Sequence, residues 1–138
     1  IASAAFIDTK DKGGDEYILH CLHVMRKVRH LGKMAMIAAV LHDLLEDFPD
    51  EWSVERLIEE GFDPKVVSII DLLTHRPDES YWDYILRLAV SSLARAIKMA
   101  DLRHNSDIHR MKGLRDKDME RIKKYHKAYA YLRDYKDE

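Results

Sequence analysis

Residues 34–47 read Met34-Ala35-Met36-Ile37-Ala38-Ala39-Val40-Leu41-His42-Asp43-Leu44-Leu45-Glu46-Asp47. Met34 to Leu41 is apolar on every face, and a helix of that kind is buried. The pattern predicts one helix from about Lys33 to Asp47, broken by Phe48-Pro49-Asp50. Its last turns bring His42, Asp43, Glu46 and Asp47 together. His42 and Glu46 are four apart, as are Asp43 and Asp47, so each pair shares one side. Three carboxylates then crowd a helix C-terminus, where the macrodipole favours cations. No lysine or arginine stands in the last two turns. Like charges raise each other's pKa unless something positive intervenes, and a divalent metal would supply it. A hydrated helix end at the surface is the other reading, and this stretch alone leaves both open.

Working outward, the remaining periodicity is helical almost everywhere, with five glycines and three prolines as punctuation. A short first helix reaches about Ile7, followed by a polar loop, Asp8 to Glu16. A second helix runs from about Tyr17 to Leu31 and stops at Gly32. Ser53 caps a fourth that ends at Gly61. Asp63-Pro64 opens a fifth, which closes near His75 before Arg76-Pro77. A sixth spans about Ser80 to Val90 and a seventh about Ser92 to Asn105. Asp116 opens a long last helix with Ile122, Tyr125, Tyr129 and Leu132 as its apolar stripe, read as core packing. The charged run Arg115 to Lys124 reads as its solvated face. The expectation is an all-α, single-domain bundle of about eight helices over residues 1–138. Ile1 opens inside a helical pattern, which implies residues before it.

Composition narrows the class. Apolar residues are 46% and charged residues 35% of the 138, which excludes disorder. A net charge of -2 argues against nucleic acid as a partner. There is one cysteine, Cys21, so neither an intrachain disulfide nor a thiolate-rich zinc site can form. A reducing cytoplasmic setting fits, and no apolar run is long enough for a membrane span. The apolar faces of the terminal helices could support a homodimer.

Two further helices bear on the metal reading. In the seventh, Leu93, Ala96, Ile97 and Ala100 define an apolar face, and Asp101 lies about 40° from Ile97, inside it. A carboxylate on a core-facing stripe is paired with an arginine or binds a metal. In the second, His20 lies about 40° from Val24, at the border of the apolar arc, while His23 sits among Arg26, Lys27 and His30. His20 is therefore the inward candidate. His23, His30, His75, His109 and His126 read as surface or packing residues. His20, His42, Asp43 and Asp101 make four N/O ligands without sulfur, a set suited to manganese, iron or zinc rather than calcium. An open metal site beside Glu46 and Asp47 implies hydrolysis, since a metal acidifies water and a carboxylate handles its protons.

Four stretches resemble the HD superfamily, and specifically the hydrolase domain of RelA/SpoT-type alarmone enzymes and their small stand-alone relatives. They are Asp11 to His20, the HD-xx-ED run of Ala39 to Asp47, the segment Leu73-Thr74-His75-Arg76 with Glu79-Ser80-Tyr81, and Ala96 to Asn105 with its Asp-x-x-x-Asn. The likeness spans about residues 5 to 110. It implies removal of the 3′-pyrophosphate from guanosine tetra- or pentaphosphate, usually with manganese. By position it makes His20, His42, Asp43 and Asp101 the ligands, and Glu46 and Asp47 the residues that activate and place water. It puts Lys12 and Asn105 at the nucleotide, and Arg76 and Arg103 at phosphates or in surface ion pairs. Cys21 stands where the family commonly has proline, which a helix tolerates. Phe48 stands where it often has threonine, which bears on the pocket's rim. The competing readings are an HD phosphohydrolase for another nucleotide (2′- or 3′-phosphorylated, or a deoxynucleotide), a catalytically silent nucleotide sensor, and a bundle held by buried ion pairs.

Overall fold

The structure, a computed structural model, describes residues 1–11 and 15–137. Nine α-helices stand among these residues, with two 3₁₀ turns and no strand beyond an isolated bridge between Lys10 and Glu16. The helices are α1 (Ala2–Ala5), α2 (Tyr17–Lys27), α3 (Lys33–Val40), α4 (Leu44–Asp47), α5 (Val54–Glu59), α6 (Pro64–Leu72), α7 (Tyr81–Leu88), α8 (Ser92–Asn105) and α9 (Asp116–Arg133). The two expected caps form, Ser53 accepting from the Arg56 amide and Asp63 from Lys65, and Ser80, expected inside the sixth helix, caps it by accepting from Asp83. Gly32 and Gly61 close their helices at φ 99° and 94°, a left-handed region that costs glycine little.

Two helices are shorter than the periodicity predicts. The second ends at Lys27 and gives way to a 3₁₀ turn at Arg29–Leu31. The expected helix from Lys33 to Asp47 is two, because the chain tightens at Leu41–Asp43. The His42 amide bonds Ala39 O at 3.3 Å and the Leu44 amide bonds Leu41 O at 3.0 Å, both three residues back. The His42 ring bonds the Ala39 carbonyl as well, at 2.6 Å, taking an acceptor the helix would have used. The carboxylates therefore surround a single turn, and the dipole penalty inferred for a long helix does not apply. Their mutual repulsion remains.

The core gathers α2, α3, α6, α8 and α9, with α8 against α2 and α9 and α3 against α2 and α6. Val24, Leu44, Ile70, Ile85, Leu88 and Ile97 are fully buried, each stabilising by about 1.5–3 kcal/mol. Phe48 does not edge the pocket; it turns onto Phe6, 5.0 Å between centroids in an edge-on contact. The charged run is not wholly solvated either, since Asp118 is buried between Arg115 and Arg121. No helix among the described residues is long and apolar enough to cross a membrane.

Candidate metal centre

Three elements converge on one point. α2 contributes His20, the tight turn after α3 contributes His42 and Asp43, and α8 contributes Asp101. One donor atom from each lies within 4.8 Å of all the others. His20 Nε2 is 2.8 Å and His42 Nε2 3.3 Å from Asp101 Oδ1, and His42 Nε2 is 3.0 Å from Asp43 Oδ2. His20 and His42 are 1% exposed and Asp101 3%, so His20 and Asp101 face inward as the helical wheel expects.

The hydrogen bonds show what this cluster is suited to hold. His42 Nδ1–H donates to Ala39 O, so a neutral ring presents its Nε2 lone pair to two carboxylate oxygens. An acceptor facing two acceptors is repulsive unless a proton sits on Nε2 or a cation stands among them. Burial opposes charging His42, but Asp43 and Asp101 outweigh it and hold its pKa well above the ordinary value. A divalent cation satisfies the same geometry, and the donor set of two imidazoles and two carboxylates suits one.

Each ligand is held from behind, as metal ligands generally are. Tyr17 donates its hydroxyl to Asp43 Oδ2. Asn105 donates to Asp101 Oδ1 at 3.0 Å, and Lys98 reaches Asp101 Oδ2 at 2.9 Å. Burial works against the Lys98 charge, but Asp101 overcomes it and raises its pKa well above the usual range. His104 Nδ1 lies 2.7 Å from His20 Nδ1, the two rings nearly coplanar at 11°, and the face of His104 stacks on His23 at 3.7 Å. Burial and then Arg110 push the His104 pKa down to about 3, so the ring is neutral and can accept from His20 Nδ1–H. That tautomer leaves His20 Nε2 free to ligate.

Glu46 and Asp47 stand on a cleft of about 540 Å³ that also includes Asp43, Asp101, His75 and Asn105, a volume suited to a small-molecule ligand. Glu46 Oε1 accepts from the His75 amide at 2.7 Å. Partial burial, then Asp43 and Glu46, push the Asp47 pKa up to about 7. Partial burial also raises Glu46. An acid poised near neutrality beside a cation site can hold or release a proton at working pH.

A sequence profile described as HD domain matches residues 1–132. The chain belongs to the HD-domain family. Its fold is shared with a solved structure described as a metazoan ortholog of SpoT that hydrolyzes ppGpp and plays a role in starvation responses. The TM-score is 0.74 at 22% identity, over 96% of this chain and 82% of that one. No curated protein matches. The buried His/Asp cluster equips this HD domain to hold a divalent metal.

The remaining residues divide. Asn105 lines the cleft, although its amide is engaged by Asp101. Arg76 is exposed, its backbone amide bonded to Glu79 Oε1. Arg103 faces away from the cleft, onto a second cavity with His23, Lys27 and His30. Lys12 lies outside the described residues. Its neighbours Thr9, Lys10 and Asp11 do line the cleft, with Asp11 bonded to Arg110. His104, Lys98 and Tyr17 escaped the sequence reading, as did the roles of His23 and His75. Only the three-residue spacing of Lys98 and Asp101 on α8 hints at any of them.

Proposed function

We propose that this HD domain is a metal-dependent pyrophosphohydrolase that removes the 3′-pyrophosphate of guanosine tetra- or pentaphosphate. The observation that carries the hydrolase reading is the four-donor cluster beside Glu46 and Asp47 on one cleft. The nucleotide rests on the HD-xx-ED run and on the fold shared with the SpoT ortholog. His20, His42, Asp43 and Asp101 would hold the ion, manganese by resemblance. When bound, such an ion supplies positive charge and acidifies water near neutral pH.

The chain's own groups do the rest. Glu46, fixed by the His75 amide, orients the attacking water. Asp47 takes its proton, for which a pKa near neutrality is suited. The water oxygen joins the phosphorus attached to the ribose 3′ oxygen, and that P–O bond breaks. The 3′ oxygen leaves with the proton that Asp47 took, giving pyrophosphate and the 5′-diphosphate, or the 5′-triphosphate from the pentaphosphate. Lys98 keeps Asp101 ionised throughout. The single buried Cys21 suits a cytoplasmic setting.

A substrate panel with manganese tests this. Pyrophosphate release from guanosine 3′,5′-bis(diphosphate) is the expected result. Release of phosphate from another nucleotide, with none of the pyrophosphate, would sink it in favour of a different HD phosphohydrolase.

A further inference from the structure

Among the described residues, the cleft is lined by five carboxylates (Asp11, Asp43, Glu46, Asp47 and Asp101) and three lysines (Lys10, Lys98 and Lys124). A phosphorylated ligand brings several more negative charges into it. Even with a cation among the ligands, phosphate oxygens beyond that cation need donors that are not already engaged. Lys98 is committed to Asp101 at 2.9 Å. Lys10 reaches Glu16 at 4.0 Å. The Lys124 ammonium meets no carboxylate among the described residues, and lies over the rings of Tyr81 at 4.5 Å and Tyr125 at 5.5 Å. It hangs from α9 at the cleft, although the charge pattern alone assigned it to a solvated face.

Directly beneath it is a second unmet donor. The Tyr81 hydroxyl is buried and has no hydrogen-bond partner among the described residues. A buried hydroxyl without a partner is destabilising and is rare enough in folded proteins to require a reason. Tyr81 sits one residue past the Ser80 cap of α7, its ring packed between His75 and Tyr125. Burial pushes its pKa up to about 12, so it carries its proton at neutral pH and can only usefully donate. An unpaired ammonium and an orphaned hydroxyl side by side, on a cleft otherwise rich in acids, match the donors that a phosphoryl group accepts from.

We propose that Tyr81 and Lys124 form a phosphate-oxygen subsite on the wall of the cleft made by α7 and α9. It takes phosphoryl oxygens that the metal ligands do not reach, and Lys124 swings from the Tyr81 face to meet them. The subsite deepens the hydrolase reading and rests on it for the class of ligand.

The test is binding, so it does not depend on turnover. Inorganic pyrophosphate and guanosine 5′-diphosphate are each titrated calorimetrically into manganese-loaded protein. The variants are Tyr81→Phe, Lys124→Gln and the double variant. The expected result is weaker binding of at least one probe, roughly tenfold for Lys124→Gln and roughly three- to tenfold for Tyr81→Phe, with unchanged manganese affinity. Whichever probe loses affinity identifies the end of the nucleotide that the subsite holds. Tyr81→Phe should leave the Tm unchanged or raise it, because it deletes an unsatisfied hydroxyl. A clear fall in Tm would show a structural partner and overturn the proposal. Wild-type affinity for both probes in both single variants, or no binding of either probe by the wild type, would also overturn it. Failure of the alarmone assay with these affinity losses intact would refute the substrate while leaving the subsite standing.

Discussion

His104 Nδ1 lies 2.7 Å from His20 Nδ1, joining α8 to α2 behind the metal cluster. The contact selects the tautomer in which His20 Nε2 carries the lone pair, which a metal needs. His104→Leu should therefore weaken manganese binding by roughly 10–100-fold, the usual effect of removing a group behind a ligand. His104→Asn should restore much of it, since the amide oxygen can accept in place of Nδ1. Competition titration against a chelating dye reads both. Wild-type affinity in His104→Leu would show the stack to be packing alone.

Metal binding should release protons. Without a cation, His42 is held in its charged form by Asp43 and Asp101, and the raised pKa of Asp47 keeps it partly protonated near pH 7. Both protons oppose an incoming cation. Manganese affinity should rise from pH 6 to pH 8, and calorimetry in buffers of different ionisation enthalpy should report net proton release. An affinity flat across that range would contradict the electrostatics described here.

Glu46 and Asp47 should separate from the ligands under substitution. Glu46→Ala and Asp47→Asn leave all four donors in place, so metal content should match the wild type. Turnover should fall by roughly 10²–10⁴-fold, the range for losing a general acid–base group. Unchanged turnover in Glu46→Ala would remove it from its assigned role.

The candidate site was legible in the sequence to unequal degrees, for physical reasons. His20 and Asp101 could be placed because a helix has a fixed period, and a polar side chain within an apolar arc has few alternatives. Spacing grouped Glu46 and Asp47 with His42 and Asp43, and the resemblance supplied their proposed roles. The break at Leu41–Asp43 was hidden because it comes from the His42 ring bonding Ala39 O, a side-chain choice that periodicity does not record. His104 was hidden because its partner is 84 residues away. Arg103, two residues past Asp101, turns to another cavity because two residues on a helix are about 200° apart. Position in a motif did not say which way it faces.

Phe6 ties the first helix to the site. It is fully buried, 5.0 Å from both Tyr17 and Phe48, and Tyr17 in turn holds Asp43. Phe6→Ala should cost about 3–5 kcal/mol as transfer and cavity terms combine. Metal affinity should fall with it, because Tyr17 loses the ring that positions it. Phe6→Leu keeps most of the volume and should recover both. Chemical denaturation and manganese titration of the two variants check this, and equal stability would place the first helix outside the fold's essential core.

The Glu79–Arg87 pair gives a prediction at acid pH. Arg87 Nε donates to Glu79 Oε2 at 2.7 Å and an Arg87 Nη to Oε1 at 3.0 Å, while Thr74 O accepts from the same guanidinium at 2.9 Å. The clasp fixes the loop whose His75 amide holds Glu46. The Arg87 hydrogen bonds pull the Glu79 pKa from its ordinary 4.5 down to about 2. Because the folded value lies below that of the unfolded chain, the stabilisation is fully present above about pH 4.5. It is lost as pH falls from there towards 2. Arg87→Met should destabilise at neutral pH by about 1–3 kcal/mol. The difference from wild type should narrow steadily across that acid window. Parallel urea titrations at stepped pH measure it. A gap that stayed constant down to pH 2 would mean that Arg87 stabilises through the Thr74 carbonyl, and through that of Leu72 at 3.4 Å, rather than through Glu79.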